Sequence, residues 1–209
     1  IFAVLKRGNV KDMLVHRDGY DEKNFNPDKP AVIATSSIRR KAQWLNRYPN
    51  SKVENLRGNV NTRIKKLHDS EWDGAIFAAA GIERLGLTLD ETGPRWILDW
   101  MLPAPAQGAV AVAGRAGDDW FKEACQLLNH TETQICTQVE RDFLRLLQGG
   151  CSTPISALAE QVNGYLHFTG NICATDGSSG ITIVVEEKAE NHHKIAAEAV
   201  KQALDKGAA

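Results

Sequence analysis

Apolar and polar residues follow two different rhythms along this chain, and the change of rhythm divides it. From Ala31 onward, short apolar runs alternate with stretches whose apolar residues recur at helical spacing. Ala31-Val32-Ile33-Ala34 predicts a strand and Thr35-Ser36-Ser37 a helix N-cap cluster; Ile38, Ala42 and Leu45 mark a helix that ends near Tyr48-Pro49. Val53 to Leu56 predicts the next strand, and Asn59 to His68 a helix with Val60, Ile64 and Leu67 inward. Asp73 to Ala78 predicts a third strand, which runs into a small-residue helix start at Ala79-Ala80-Gly81. Repeated β-α units imply a mostly parallel sheet with helices on its faces. Ligands of such sheets bind at the carboxyl ends of the strands, where the helix N-termini also point.

The second rhythm follows a Pro-rich interruption, Leu102 to Gly108, which reads as a hinge or crossover. Ala109 to Ala113 predicts a strand, and Asp118 to Leu128 a helix. Glu132 to Leu147 predicts a longer helix with Ile135, Val139, Phe143 and Leu146 on one face. Strands are then expected at Ser156–Val162, Tyr165–Thr175 and Gly180–Glu187, separated by the turn signals Asn163-Gly164 and Asp176-Gly177-Ser178-Ser179. Asn191 to Lys206 predicts a closing amphipathic helix. This tail is a small α+β unit distinct from the β-α part. Ile1 to Leu5 reads as an apolar strand with no initiator Met and no basic n-region, so the chain is expected to be a piece of a longer protein.

Composition narrows the function classes. At 209 residues and 43% hydrophobic, the chain can bury a real core, and a net charge of -1 gives no general attraction to nucleic acid or an anionic membrane. No apolar run reaches the length of a membrane span. Cys125, Cys136, Cys151 and Cys173 show neither CxxC spacing nor His partners at metal-like intervals, so no metal is expected and a reducing cytoplasm suits them. Cys125, Cys136 and Cys173 fall inside predicted elements as core. Trp96 and Trp100 read as packing residues, and His192-His193 as a solvated pair.

The informative charges sit at the predicted strand-to-helix junctions. Arg39 and Arg40 occupy the first turn of a helix, behind Thr35 and Ser37. A helix N-terminus already offers free N–H groups and positive potential, so arginines there point to an anion. Arg57-Gly58-Asn59 repeats the arrangement at the next strand end, with Arg63 beyond it, and Arg84 follows the third strand. The fold would gather these ends into a pocket for a ligand with several acidic groups. The planar guanidinium fork suits carboxylate and phosphate alike, but neither G-x-x-x-x-G-K-[ST] nor G-x-G-x-x-G follows a strand, and a polycarboxylate fits at least as well. Cys151 stands behind Gly149-Gly150, where small residues leave room around the thiol. The turn reads either as a helix stop carrying a buried cysteine or as a place to attach something bulky.

Five segments taken together resemble one family. Ala34-Thr35-Ser36-Ser37-Ile38-Arg39-Arg40-Lys41-Ala42-Gln43 resembles the G-T-S-S-L-R-R-x-x-Q segment of the porphobilinogen deaminases, also called hydroxymethylbilane synthases. Leu56 to Arg63 resembles their L-R-G-N-V-x-T-R, and Asp73 to Leu87 their D-A-I-x-L-A-x-A-G-L-x-R-L-G. Leu102 to Gly108 resembles L-P-A-x-x-Q-G, and Glu140 to Ile155 resembles E-R-x-F-L-x-x-L-x-G-G-C-x-x-P-I.

The resemblance implies an α/β fold with a periplasmic-binding-protein-like β-α lobe plus a small α+β C-terminal domain. Residues 1–11 would be a remnant or hinge of a first domain, 12–101 the second domain, 102–128 a crossover returning to the first, and 129–209 the domain carrying the cofactor cysteine. It implies a transferase of tetrapyrrole (heme) biosynthesis, cytoplasmic and monomeric, which condenses four porphobilinogen molecules to hydroxymethylbilane with release of ammonia. A covalent dipyrromethane would be held as a thioether by Cys151 and bound by Thr35, Ser37, Arg39, Arg40, Arg57, Gly58, Asn59 and Gln107. Arg39, Arg57, Arg63 and Arg84 would bind substrate carboxylates. The family's catalytic aspartate lies in a first-domain K-D loop, so no catalytic residue is expected in this chain, and the chain alone should be inactive. Lys11-Asp12 copies those two letters but stands close before Thr35, so Asp12 is expected to be a hinge or strand-start residue. Ala34, Gln148 and Pro105-Ala106 depart from the family pattern without removing a proposed functional group.

Two other readings stay open on the residues alone. One is a non-catalytic anion- or solute-binding module of periplasmic-binding-protein type. The other is a cysteine-dependent acyl transferase, which would need a histidine near Cys151.

Overall fold

The computed structural model describes residues 1–17, 29–150 and 153–208. In chain order the elements are β1 (Ala3–Val4), β2 (Asp12–His16), β3 (Val32–Ala34), α1 (Ile38–Arg47), β4 (Lys52–Glu54), α2 (Val60–His68), β5 (Gly74–Ala78), α3 (Ala79–Arg84), α4 (Leu89–Thr92) and β6 (Arg95–Ile97). They continue with β7 (Ala111–Val112), α5 (Asp119–Gln126), α6 (Thr131–Leu146), β8 (Ile155–Val162), β9 (Tyr165–Cys173), β10 (Gly180–Lys188), a 3-10 turn at Ala189–Lys194 and α7 (Ile195–Asp205).

The β-α alternation is present, but the expected mostly parallel sheet is mixed. Its strand order is β4-β3-β5-β2-β6, with β3 parallel to β4 and β5, and β2 antiparallel to both β5 and β6. The strand that breaks the parallel pattern, Asp12-Met13-Leu14-Val15-His16, is buried along its whole length. It is inserted from upstream of the β-α units, so local periodicity in those units could not reveal it. Asp12 does begin a strand, and it lies opposite Ala78, at the carboxyl end of β5.

Each face of this sheet has its own core. Met13, Val15, Phe77, Leu56, Ile64 and Ile82 pack on the α2/α3 side, while Leu14, Ile33, Ile76, Trp44 and Met101 pack on the α1 side. The alternation of Met13, Leu14 and Val15 between the two cores follows from the two-residue period of a strand. Sequence places α1 and α2 well because both carry caps: Ser37 Oγ accepts from Arg40 N, and Asn59 Oδ1 accepts from Thr62 N.

The C-terminal half is a β8-β9-β10 antiparallel meander covered on one face by α6 and α7. Phe143 of α6 and Phe168 of β9 meet edge to face at 5.1 Å in its centre. Asn163 and Gly164, at φ 51° and 81°, form the β8–β9 turn with the left-handed pair that the Asn-Gly signal demands. The remaining sheet is small: β1 pairs with β7, which is shorter than the Ala109–Ala113 strand expected. The closing helix also starts later than expected, since Asn191 to Lys194 belong to the 3-10 turn. Cys125, Cys136 and Cys173 are buried free thiols.

Candidate carboxylate-binding site

Because β3, β4 and β5 are parallel, their carboxyl ends share one edge of the sheet, and α1, α2 and α3 begin there. Arg39 and Arg40 enter this edge from the first turn of α1 and Arg57 from the β4–α2 connection, while Arg63 lies one turn into α2 and Arg84 at the far end of α3. The antiparallel β2 adds a group that sequence reasoning did not assign to the site, the carboxylate of Asp12.

Asp12 is fully buried and collects the first two arginines. Arg40 Nε and Nη2 donate to its Oδ1 at 3.0 and 2.7 Å, and Gln107 Nε2 donates to the same oxygen at 3.0 Å. Arg39 Nη2 stands 2.7 Å from Oδ2, in ionic contact but without hydrogen-bond alignment. Backbone carbonyls take further donors: Arg40 Nη1 bonds Ile76 O at 3.2 Å, and Arg39 Nη1 bonds Leu102 O at 2.6 Å. The anion that the α1 arginines imply is therefore supplied within the chain, at least in part. Two guanidiniums against one carboxylate leave the cluster with an excess positive charge. Burial pushes the Arg39 guanidinium below its usual range and Arg40 adds to the effect, while Asp12 opposes it. Arginine nevertheless remains charged near neutral pH. Arg39 Nε is buried with no acceptor among the described residues.

The other arginines are disposed differently. Arg57 and Arg84 are exposed, and no hydrogen bond or ion pair ties either guanidinium to another described residue. Arg63 is half-buried and donates through Nε to Gly58 O at 2.7 Å. Gly58 has φ 125°, and a Cβ there would lie 2.8 Å from the Thr62 methyl, so this bend needs glycine. Thr35 Oγ1 accepts from Ser37 N, and Ser37 and Asn59 cap helices, so these residues shape the edge while their side-chain acceptors are in use.

Gln107 links the edge to the C-terminal half. Its Oε1 accepts from Arg39 Nη2 at 3.2 Å, its Nε2 bonds Val10 O at 2.7 Å as well as Asp12, and its carbonyl accepts from Arg7 Nε at 2.9 Å. Arg7 in turn forms a two-pronged pair with the fully buried Glu140, at 2.6 and 3.0 Å. Glu140 also accepts from the amides of Ala106 and Ala159 at 2.6 and 2.8 Å. Burial pushes the Glu140 carboxyl up, against the opposing pull of Arg7 and the two amides. One turn earlier in α6, burial reinforced by Glu140 pushes the Cys136 thiol up to about 11.

Cys151, the expected attachment point, lies outside the described residues. A cleft of about 850 Å³ opens between β1, residues 105–111 and α6, but none of the strand-end arginines lines it. The candidate site is thus an open sheet edge and not that cleft. Among the described residues, no group of three or more His, Cys, Asp or Glu side chains is placed to hold a metal, and no helix is long and apolar enough to cross a membrane.

Fold and site together define an arginine-edged mixed α/β lobe, tied through Gln107 and the Arg7–Glu140 ion pair to an α+β unit. Residues 1–123 match the family model for the porphobilinogen deaminase, dipyromethane cofactor binding domain, and residues 134–206 match that for the porphobilinogen deaminase C-terminal domain. The porphobilinogen deaminase of Desulforamulus reducens is 42% identical over 193 residues, covering 91% of this chain and 60% of its own length. Those of Chlorobium phaeobacteroides (strain BS1) and Listeria monocytogenes are 38% and 36% identical, covering 86% and 100% of this chain. The chain belongs to the porphobilinogen deaminase family. It spans 56% of the length of the Chlorobium relative and 67% of the Listeria one.

Proposed function

We propose that this chain serves tetrapyrrole biosynthesis as part of a hydroxymethylbilane synthase, binding pyrrole carboxylates along the carboxyl edge of its mixed sheet. The observation that carries the reading is the disposition of its arginines. Asp12 clamps Arg39 and Arg40 in a buried cluster of excess positive charge, while the guanidiniums of Arg57 at the same edge and Arg84 at the end of α3 have no partner among the described residues. Porphobilinogen carries an acetate and a propionate, and a chain of such units multiplies the carboxylates that need these donors. Family membership favours this transferase reading over a non-catalytic anion-binding module.

The residues present fit a dipyrromethane in the same terms. Arg39 Nε, Arg57 and Arg84, none with an acceptor among the described residues, are donors suited to its carboxylates. Thr35, Ser37, Arg40, Gly58, Asn59 and Gln107 would shape and support that cradle, Arg63 would add a charge for substrate, and Cys151 would be the covalent anchor. When bound, the group supplies a pyrrole carbon on which further porphobilinogen units are added. The chain's own part is to neutralise carboxylates and hold the units in place, with Asp12 fixing the geometry of Arg39 and Arg40.

Residues 12–101 would be a lobe of periplasmic-binding-protein type and 129–209 a separate domain, joined by 1–11 and 102–128. The separate cores on the two sides of residues 102–128 support this division. A reducing, cytoplasmic setting accords with the buried free thiols of Cys125, Cys136 and Cys173, and the chain would act there as a monomer. Intact mass spectrometry of the chain as purified tests the anchor. The reading expects a dipyrromethane-sized increment that is lost in Cys151→Ser, and an increment retained in that variant would refute it.

A further inference from the structure

α1 carries Arg39 and Arg40 at its first turn and packs on its own sheet through Trp44, yet its middle and far end are also held from the linker and the α+β unit. Gln43, buried in mid-helix, forms a two-way pair with the backbone of Leu102: Nε2 donates to the carbonyl at 3.0 Å and Oε1 accepts from the amide at 2.9 Å. Its Nε2 also donates to Ser156 Oγ of β8 at 2.8 Å. Ser156 is fully buried although it lies on the sheet face opposite Ala157, which packs with α6, so α1 is what covers it. The intervening linker joins in, since Ala157 N donates to Pro103 O at 3.1 Å.

The far end of α1 is held by the β9–β10 hairpin. Asn46 Nδ2 donates to Gly177 O at 2.9 Å. Gly177 is buried at φ 77°, and a Cβ there would lie 2.6 Å from both Asn46 N and Leu45 Cβ. The hairpin tip is pressed against the helix so closely that only glycine fits. Helices of this length move as rigid rods, so a displacement at Asn46 is carried to Arg39 two turns away. Arg39 and Gln43 moreover share the Leu102 carbonyl, so the helix cannot shift without disturbing the arginine's own bond.

We propose that the β9–β10 hairpin tip, with Gly177 as its contact and Leu45 and Asn46 of α1 as its receivers, is a positioning element for the carboxylate site. It sets where Arg39 stands against Asp12 and couples the arginine edge to the C-terminal sheet. The effect on ligand rests on the functional reading above, but the grip itself does not.

The full chain tests it with a matched pair of variants. Gly177→Ala and Gly164→Ala both place a side chain at positive φ in a hairpin turn of the same meander, but at Gly164 the new Cβ meets nothing within 4 Å. Amide hydrogen exchange across residues 38–47 should rise roughly tenfold in Gly177→Ala and stay at the wild-type level in Gly164→Ala. Asn46→Ala, which adds no atoms, should move exchange the same way by less. Porphobilinogen, titrated calorimetrically, should bind about tenfold more weakly to Gly177→Ala only. Equal α1 exchange in the two glycine variants overturns the proposal, and so does raised exchange with unchanged affinity. If wild type itself fails to bind porphobilinogen, the functional reading falls, and the exchange comparison alone decides whether the hairpin positions α1.

Discussion

Replacing Asp12 with asparagine removes one charge and keeps the shape, which isolates the buried cluster as the quantity under test. In wild type, Oδ1 accepts three N–H donors and Oδ2 faces Arg39 Nη2 at 2.7 Å, with Asp12 inaccessible to solvent. In Asp12→Asn, two buried guanidiniums lose their common counter-charge, and the new amide turns a donor toward groups that are already donors. Removing one partner of a buried ion pair costs about 3–5 kcal/mol, because the remaining charge keeps its desolvation penalty without its attraction. With a urea m-value of about 3 kcal/mol/M, the unfolding midpoint should fall by roughly 1–1.5 M. The comparison variant is Asp69→Asn, which breaks the exposed Lys65–Asp69 pair on α2 and should cost no more than about 0.5 kcal/mol. Urea titration followed by tryptophan emission is a suitable assay, since Trp44 lies in α1 in the core on the same side of the sheet. A loss below about 1 kcal/mol in Asp12→Asn would refute the reasoning, for it would mean that water already screens the cluster.

Other consequences follow from the same structure. Phe143→Ala empties the centre of the C-terminal core and should destabilise by about 3–5 kcal/mol in the same titration, whereas Leu127→Ala, at a residue that is 92% exposed, should change little. Cys136 should resist alkylation at pH 8, since burial holds its thiol near 11 and the reactive thiolate is correspondingly rare; mass-mapped labelling as fast as that of free cysteine would contradict this. Glu140→Gln should lower the urea midpoint by about 1 M or more, because the mostly buried Arg7 would lose its counter-charge.

Much of the fold is legible in the sequence because its signals are local. The apolar runs at Val32–Ala34 and Gly74–Ala78, the caps Ser37 and Asn59, and the Asn163-Gly164 turn each act within a few residues. What escaped is non-local. Residues 12–16 pair with 74–78 and with 95–97, and nothing in a five-residue apolar stretch says which strands it will lie between or in which direction. The site divides in the same way. The arginines at strand ends are visible as positions, but the carboxylate that holds two of them lies 27 and 28 residues upstream of them, at the start of the inserted strand. Arg7 and Glu140, 133 residues apart, are likewise meaningless to a local reading. The R-R-x-x-Q spacing did contain a clue, since Gln43 lies one turn beyond Arg39 and Arg40 on the same helix and reaches the same linker.

The account stands on the arginine edge binding pyrrole carboxylates, and direct calorimetric titration of porphobilinogen into the chain, Arg57→Leu and Arg84→Leu measures that claim. Both arginines are exposed and have no partner among the described residues, so neither substitution should shift the unfolding midpoint, while each should weaken binding by roughly tenfold, the loss of a charge-assisted hydrogen bond. Binding that is equally tight in all three proteins, with folds intact, would contradict it.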